Sequence, residues 1–225
     1  SRGLAALASE DFETAAEVFS TALAVRPGST EAQNGLTQAE QGAELDRIAL
    51  AEARGLAAET VERWDRAIQI YRDLLSEDPS LGFAQAGLER SQLRADLEAK
   101  LVNLIDNPAL LFSDQVLSDA SALLDEARSV EGAGARLGEQ IAELERIEML
   151  ASTPLTVELR SDELTNVTLY RVGPLGTFSA TQVELRPGNY RAQGTRNGFR
   201  DVLVDIIVRP GRAIPPVEVR CVEPI

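Results

Sequence analysis

The chain of 225 residues is 44% hydrophobic and 26% charged, which is enough apolar sequence to bury one or two folded cores. Its formal net charge of −14 argues against nucleic acid as a partner, because a strongly negative surface repels phosphate. No apolar run approaches the roughly 20 residues that a membrane span needs, so we expect no transmembrane segment within this sequence.

The residue types present restrict the chemistry. The sequence contains no histidine and a single cysteine, Cys221, so the commonest zinc ligands and the commonest general base are missing. Chemistry based on carboxylates, serine or the one lysine, Lys100, stays open, but no specific pattern supports it. We therefore predict a protein that is not an enzyme and that holds no cofactor and no metal.

The first residues run directly into a helical pattern, without an initiator methionine or a capping residue. We expect that an upstream part, such as a membrane anchor, precedes them. In that case the membrane would be a partner only through the missing anchor.

Two stretches in the first half of the chain repeat one another. "GLAALASEDFETAAEVFSTALAVRPGSTEAQNGL", from Gly3 to Leu36, aligns without a gap on Gly55 to Leu88, at a constant offset of 52 residues. Such self-similarity is typical of a repeat array. Because small residues let helices approach closely and proline ends a helix, each unit is predicted to be a helical hairpin.

The matching positions resemble the tetratricopeptide repeat, with small, small, aromatic, small and proline residues in its order. They are Gly3, Ala15, Phe19, Ala22 and Pro27, and then Gly55, Ala67, Tyr71, Leu74 and Pro79. The resemblance implies stacked hairpins whose concave surface holds a peptide. Since the family period is about 34 residues, we expect the helices over about 30–54 and 81–106 to be elongated or to double as the next unit's first helix.

A third, less regular unit follows. Ser113 with Asp114 is a plausible N-cap, and a glycine-rich break over 131–134 separates two amphipathic helices. This unit lacks the aromatic residue and the proline, as expected of a terminal repeat that caps a stack. We predict a helical repeat domain over 1–151, with units at about 3–54, 55–106 and 107–151.

The pattern changes after residue 151 to alternating apolar and polar residues with Pro-Gly and Asn-Gly turns. The charge changes as well: residues 1–152 hold 13 basic against 28 acidic residues, whereas 153–225 hold nine against eight. We predict a small antiparallel β-sandwich over 152–225. Its six strands are predicted at Leu155–Arg160, Asn166–Val172, Ser179–Leu185, Tyr190–Thr195, Asp201–Val208 and Pro216–Val222.

The segment "LRPGNYRAQGTRNGFRDVLVDIIVRPG", from Leu185 to Gly211, resembles the PEGA domain. The match lies in a Pro-Gly-x-Tyr turn, a Gly-aromatic hairpin and a final Pro-Gly, at Pro187, Gly188, Tyr190, Gly198, Phe199, Pro210 and Gly211. The resemblance implies a bacterial cell-envelope protein behind a single membrane anchor. On that basis we expect a periplasmic or extracytoplasmic location at the bacterial inner membrane.

The resemblance to tetratricopeptide repeats also supplies candidate protein-binding residues, those that line the concave face of each first helix. By position they are Leu4, Leu7 and Ala8, and then Glu52, Leu56, Glu59 and Thr60. These residues, called the first-helix face below, predict a non-catalytic scaffold for protein–protein interaction in the envelope. Exposed Leu4 and Leu7 would also favour self-association.

The alternative is a module that binds cell-wall or surface polysaccharide, with the helical repeats as a spacer. Arg191, Arg196 and Arg200 lie near predicted turns and could contact an anion or a polymer. They could equally form a solvated rim balanced by nearby carboxylates. Stacking on sugars would need exposed aromatic residues, and the predicted sandwich contains Tyr170, Phe178, Tyr190 and Phe199.

Overall fold

The chain is described from residue 2 to residue 225 in a computed structural model. It divides into two compact units, one ending at Asp96 and the other running from Leu97 to Ile225. Helices extend as far as Ser152 and strands begin at Leu155. The α+β class, with helices first and sheets second, is therefore confirmed.

Five helices begin in the first compact unit, and their bounds follow the predicted repeat. They are α1 (Arg2–Ala8), α2 (Phe12–Val25), α3 (Thr30–Thr60), α4 (Trp64–Glu77) and α5 (Gly82–Asp106). The turn before α2 and the turn before α4 each contain a non-glycine residue with positive φ: Glu10 at 59° and Glu62 at 52°. These residues are 52 positions apart, so the backbone repeats as the sequence does.

In each of the two repeats, three helices pack around one buried aromatic ring, and each such group is called a layer below. Phe19 of α2 and Tyr71 of α4 are almost fully buried. Glycines on the flanking helices lie flat against each ring, where a Cβ atom would come within 3 Å of it: Gly3 and Gly35 at Phe19, and Gly55 and Gly87 at Tyr71. Glycine at these positions permits a close helix–ring approach that any side chain would prevent.

Helix α3 belongs to both layers. It is 31 residues long, and Gly35 in its first half contacts Phe19 while Gly55 in its second half contacts Tyr71. The helix over about 30–54 was expected to be elongated or to double as the next unit's first helix, and α3 does both. This sharing explains a repeat period longer than that of a two-helix unit.

The second compact unit begins with a helical core. A 3₁₀ helix (Pro108–Phe112) precedes α6 (Asp114–Arg128) and α7 (Ala135–Ser152), and these pack with the end of α5. The core is rich in leucine, with Leu101, Leu111 and Leu144 fully buried. Ser113 is the N-cap residue of α6, as predicted, although its side chain makes no capping hydrogen bond.

Seven strands follow within the described residues. They are β1 (Leu155–Arg160), β2 (Asn166–Leu169), β3 (Gly173–Gly176), β4 (Ala180–Leu185), β5 (Gly188–Thr195), β6 (Val202–Val208) and β7 (Val217–Glu218). One sheet has the order β4-β1-β7 and the other the order β3-β2-β5-β6. Alternate residues of both sheets, such as Val157, Val167 and Ile206, share a single buried core.

Two sequence-based predictions for this region need correction. The segment from Gly173 to Gly176, which lies outside the six predicted strands, pairs with β2 as a short strand, with a register shift between Val167 and Thr168. The strands are also not all antiparallel, because β7 pairs with β1 in parallel. Glycine and proline weaken a strand signal, and a two-residue strand leaves almost no pattern to detect.

Candidate functional site

The predicted first-helix face is carried by two helices of the array. Helix α1 bears Leu4, Leu7 and Ala8, and the second half of α3 bears the remaining four residues. Leu4 follows Gly3, which lies against Phe19, and Leu56 follows Gly55, which lies against Tyr71. The face is thus presented by two successive layers rather than by one cluster.

The leucines that follow these two glycines stay open to solvent. Leu4 is 45% exposed and Leu56 is 47% exposed, at positions 52 residues apart. Ala8 and Thr60 are exposed too, also at equivalent positions. Leu7, in contrast, packs against the core around Phe19, so it stabilises its layer as well as bordering the face.

Glu59 makes contacts within its own layer. Its Oε1 accepts a hydrogen bond from the Tyr71 hydroxyl at 2.9 Å. Arg90 donates two more, from Nη2 to Oε1 at 2.9 Å and from Nε to Oε2 at 3.0 Å. Burial, followed by the hydrogen bond to the Glu59 carboxylate, raises the pKa of Tyr71 to about 12. This network joins α3, α4 and α5, so charge reversal at Glu59 would disturb the fold as well as the face.

The sequence contains a signal for this network that single positions do not reveal. Four positions change together from the first layer to the second: Leu7, Phe19, Gln38 and Ala39 become Glu59, Tyr71, Arg90 and Ser91. Three of the four first-layer residues, Leu7, Phe19 and Ala39, are therefore apolar, whereas the second-layer residues make polar contacts with one another. Comparing the repeats with each other would have assigned Glu59 a structural role.

Two grooves of the first unit were not anticipated from the sequence. One, of about 510 Å³, lies along α4 and α5 and is lined by Asp65, Ile68, Gln69, Arg72, Gln92, Ala95 and Asp96. The other, of about 540 Å³, lies along α3 and is lined by Thr37, Glu40, Gln41, Glu44 and Leu45. Both combine exposed apolar atoms with carboxylates, and the groove along α4 and α5 also contains Arg72.

Each of the three predicted anion-binding arginines has a carboxylate partner. Nε of Arg191 lies 2.7 Å from Oδ1 of Asp205, and Nη1 of Arg200 lies 3.6 Å from Oε2 of Glu223. The guanidinium of Arg196 lies over the Phe199 ring and 3.2 Å from Oδ2 of Asp162. An incoming anion would therefore compete with a carboxylate at every one of these positions.

The arginine–carboxylate pair at Asp162 also fixes a turn. Oδ1 of Asp162 accepts hydrogen bonds from the backbone N–H groups of Leu164 and Thr165, at 3.1 and 2.7 Å. Burial raises the pKa of Asp162, but these hydrogen bonds and the nearby Arg196 outweigh it, and the pKa lies below its ordinary value of 3.8. The folded state therefore favours the charged carboxylate.

This arrangement predicts an acid-dependent loss of stability. Because the folded pKa is depressed, the contribution of Asp162 is complete above its unfolded pKa and is lost as the pH falls through the folded value. Asp162→Asn keeps an oxygen acceptor but not the charge, so the wild type should be the more stable at about pH 7, and the difference should shrink as the pH falls below the ordinary aspartate pKa of 3.8 and through the lower folded value. Denaturant unfolding followed by circular dichroism measures it; a pH-independent difference would contradict the assignment.

The four aromatic side chains of the β-rich region differ in exposure. Tyr170 is 43% exposed, and its hydroxyl donates to Oε1 of Gln193 at 2.7 Å. Phe178 and Tyr190 pack against the β core, and Phe199 is covered by Arg196. Of these four, one is therefore open enough to stack on a sugar ring.

Comparisons with other proteins give no family. The chain matches no family model, no curated protein and no solved structure. Within residues 2–225, no group of three or more acidic or cysteine side chains is arranged to hold a metal ion. None of the helices in that range is both long and apolar enough to cross a membrane.

Proposed function

We propose that this chain is a protein-interaction scaffold of the bacterial cell envelope, in which the helical array binds a partner protein through the first-helix face. The observation that carries the proposal is the repeated exposure of Leu4 and Leu56, each beside a glycine that packs on an aromatic ring. Surface leucines that recur with the repeat present apolar contacts at regular intervals along an array. Such spacing suits a helical or extended peptide.

The proposed chemistry of the partner follows from the charge of the helical array. The helical part of the chain carries 28 acidic residues against 13 basic ones. The grooves along α3 and along α4 and α5 are lined by Glu40, Glu44, Asp65 and Asp96, with Arg72 as their one basic residue. We therefore propose a partner segment whose apolar residues contact Leu4 and Leu56 and whose basic residues pair with the acidic side chains of the array. Complementary charge speeds association and selects the partner.

The envelope location rests on the resemblance of residues 185–211 to the PEGA domain. In the proposed arrangement the β-rich region holds the helical array in place relative to the membrane, the wall or another subunit. The repeats resemble tetratricopeptide repeats, a family whose arrays bind peptides on a concave surface. Both family assignments are part of this proposal.

The proposal predicts that binding depends on position. The protein would be immobilised and exposed to detergent-solubilised bacterial envelope, as the unaltered chain, as a Leu4→Glu/Leu56→Glu variant, and as Val25→Glu. Val25 is an exposed residue at the end of α2, a helix that carries none of the residues of the first-helix face. Glutamate at Leu4 and Leu56 removes apolar contact and repels basic side chains, so at least a tenfold loss of binding is expected.

The matched control decides the outcome. A discrete protein retained by the unaltered chain and by Val25→Glu, and lost from the double variant, supports the first-helix face. All three exposed sites can accept glutamate without disturbing a core, and circular dichroism verifies that each variant is folded. Equal retention by all three proteins would contradict the proposal.

A further inference from the structure

The free edges of the two sheets differ in how they are protected. Edge strand β3 has four residues and contains two glycines and a proline, and edge strand β7 has two residues. Edge strand β4 is longer, but the exposed side chains of its alternate positions are Ala180, Gln182 and Glu184. Shortness, proline and polar side chains are the usual protections against edge-to-edge pairing.

Strand β6 has none of these protections apart from one acidic residue. Its sequence from Val202 to Val208 is VLVDIIV, and it pairs with β5 in an unbroken register from Gly194 to Gly188. Leu203 is 57% exposed and Ile207 is 61% exposed, while the alternate residues face the core. This edge therefore offers seven residues of regular backbone flanked by exposed apolar side chains.

The one charge on this edge is neutralised within the sheet. Asp205 lies between Leu203 and Ile207 on the outer face, opposite Arg191 of β5, and the two side chains are 2.7 Å apart. A carboxylate held by its own arginine repels an approaching strand less than a free one. The usual effect of a charge as a guard against pairing is thereby weakened.

We propose that β6 is a self-association edge, at which a second copy of this chain adds its own β6 in antiparallel orientation. A second copy supplies a strand of equal length and equal apolar alternation, and a twofold arrangement pairs both free edges at once. Full overlap of the seven residues places Leu203 of one copy opposite Ile207 of the other, with the two Asp205 side chains at the centre.

The distribution of charge favours this region for contact between copies. Residues 153–225 hold nine basic and eight acidic residues, whereas residues 1–152 have a net charge of −15. A contact through this nearly neutral part involves less like-charge repulsion than a contact between the acidic helices would. This inference does not depend on the proposed binding of a partner by the helices.

The test is the mass of the whole chain in solution, measured by sedimentation equilibrium over a range of protein concentrations. We expect the unaltered chain to form a dimer and the Leu203→Lys/Ile207→Lys variant to stay monomeric, because lysines on an edge repel a second strand. Gln182→Lys, on the exposed face of β4, is the matched control and should dimerise normally.

A second pair of variants tests the orientation. In the antiparallel pairing the two Asp205 carboxylates are neighbours, so Arg191→Ala, which leaves both of them without their arginine, should weaken the dimer by roughly two- to fivefold. The double variant Arg191→Ala/Asp205→Asn removes both charges and should restore dimerisation. A monomeric wild type, or a dimer that survives both lysines, would overturn the proposal; a dimer unaffected by Arg191→Ala would overturn the central pairing.

Discussion

Replacing Gly87 by alanine should destabilise the first compact unit by about 2–3 kcal/mol, because overpacking a close-packed core costs this much. The added Cβ would lie 2.4 Å from Cζ of Tyr71, a ring that is almost fully buried between helices. The ring cannot move aside without separating α3 from α5. Denaturant unfolding followed by the fluorescence of Trp64, the one tryptophan of the chain, measures the loss within the same unit.

Gly82, five residues earlier on the same helix, is the matched control. A Cβ at Gly82 would meet nothing within 4 Å. Alanine there should leave stability unchanged or raise it by about 0.5 kcal/mol, because glycine loses more backbone freedom than alanine when it becomes helical. Equal effects of the two substitutions would mean that Tyr71 is not packed on Gly87.

Replacing Glu59 by alanine should cost about 2 kcal/mol, because the buried hydroxyl of Tyr71 would lose its acceptor. The double substitution Glu59→Leu/Tyr71→Phe removes both the donor and the acceptor of this hydrogen bond. This pair reproduces Leu7 and Phe19 of the first layer. The double variant should recover most of the loss, since replacing both partners by apolar groups of similar shape is nearly neutral.

The comparison separates the two roles of Glu59. The free energies of unfolding of the unaltered chain, Glu59→Leu, Tyr71→Phe and the double variant form a thermodynamic cycle, again followed by Trp64 fluorescence. A strongly non-additive result is expected from atoms in direct contact. Strict additivity would show that the hydrogen bond between Tyr71 and Glu59 contributes nothing to stability.

Much of the helical part could be predicted because the same residue pattern occurs twice in the sequence. Gly3 and Gly55, with Phe19 and Tyr71, recur at one offset, and the same offset anticipates the long shared helix α3. The sequence did not indicate that each ring is enclosed by glycines on two helices. The contact of Gly35 with Phe19, and of Gly87 with Tyr71, is seen only in the folded structure, where the following helix packs against the ring.

The candidate site was less predictable, because contacts across the fold decide which side chains are free. The spacing of Glu59 along its helix predicts a surface position, yet Arg90 of another helix donates a hydrogen bond to it. Arg191 faces Asp205 across a strand pair, and neither residue reveals the other by sequence proximity. Spacing along a chain predicts which residues share a face, but it does not give their partners on the next element.

The measurement that tests the scaffold most directly is site-specific photo-cross-linking in bacterial cells that produce the full-length protein. A photoreactive residue would replace Leu56 on the first-helix face, Val25 on α2, or Tyr170 on the β-rich region, and mass spectrometry would identify what each one captures. If the array is the proposed scaffold, the photoreactive residue at Leu56 captures one envelope protein that the one at Val25 does not capture. Capture of wall polymer at Tyr170, with no protein at Leu56, would contradict it and favour a polysaccharide-binding module.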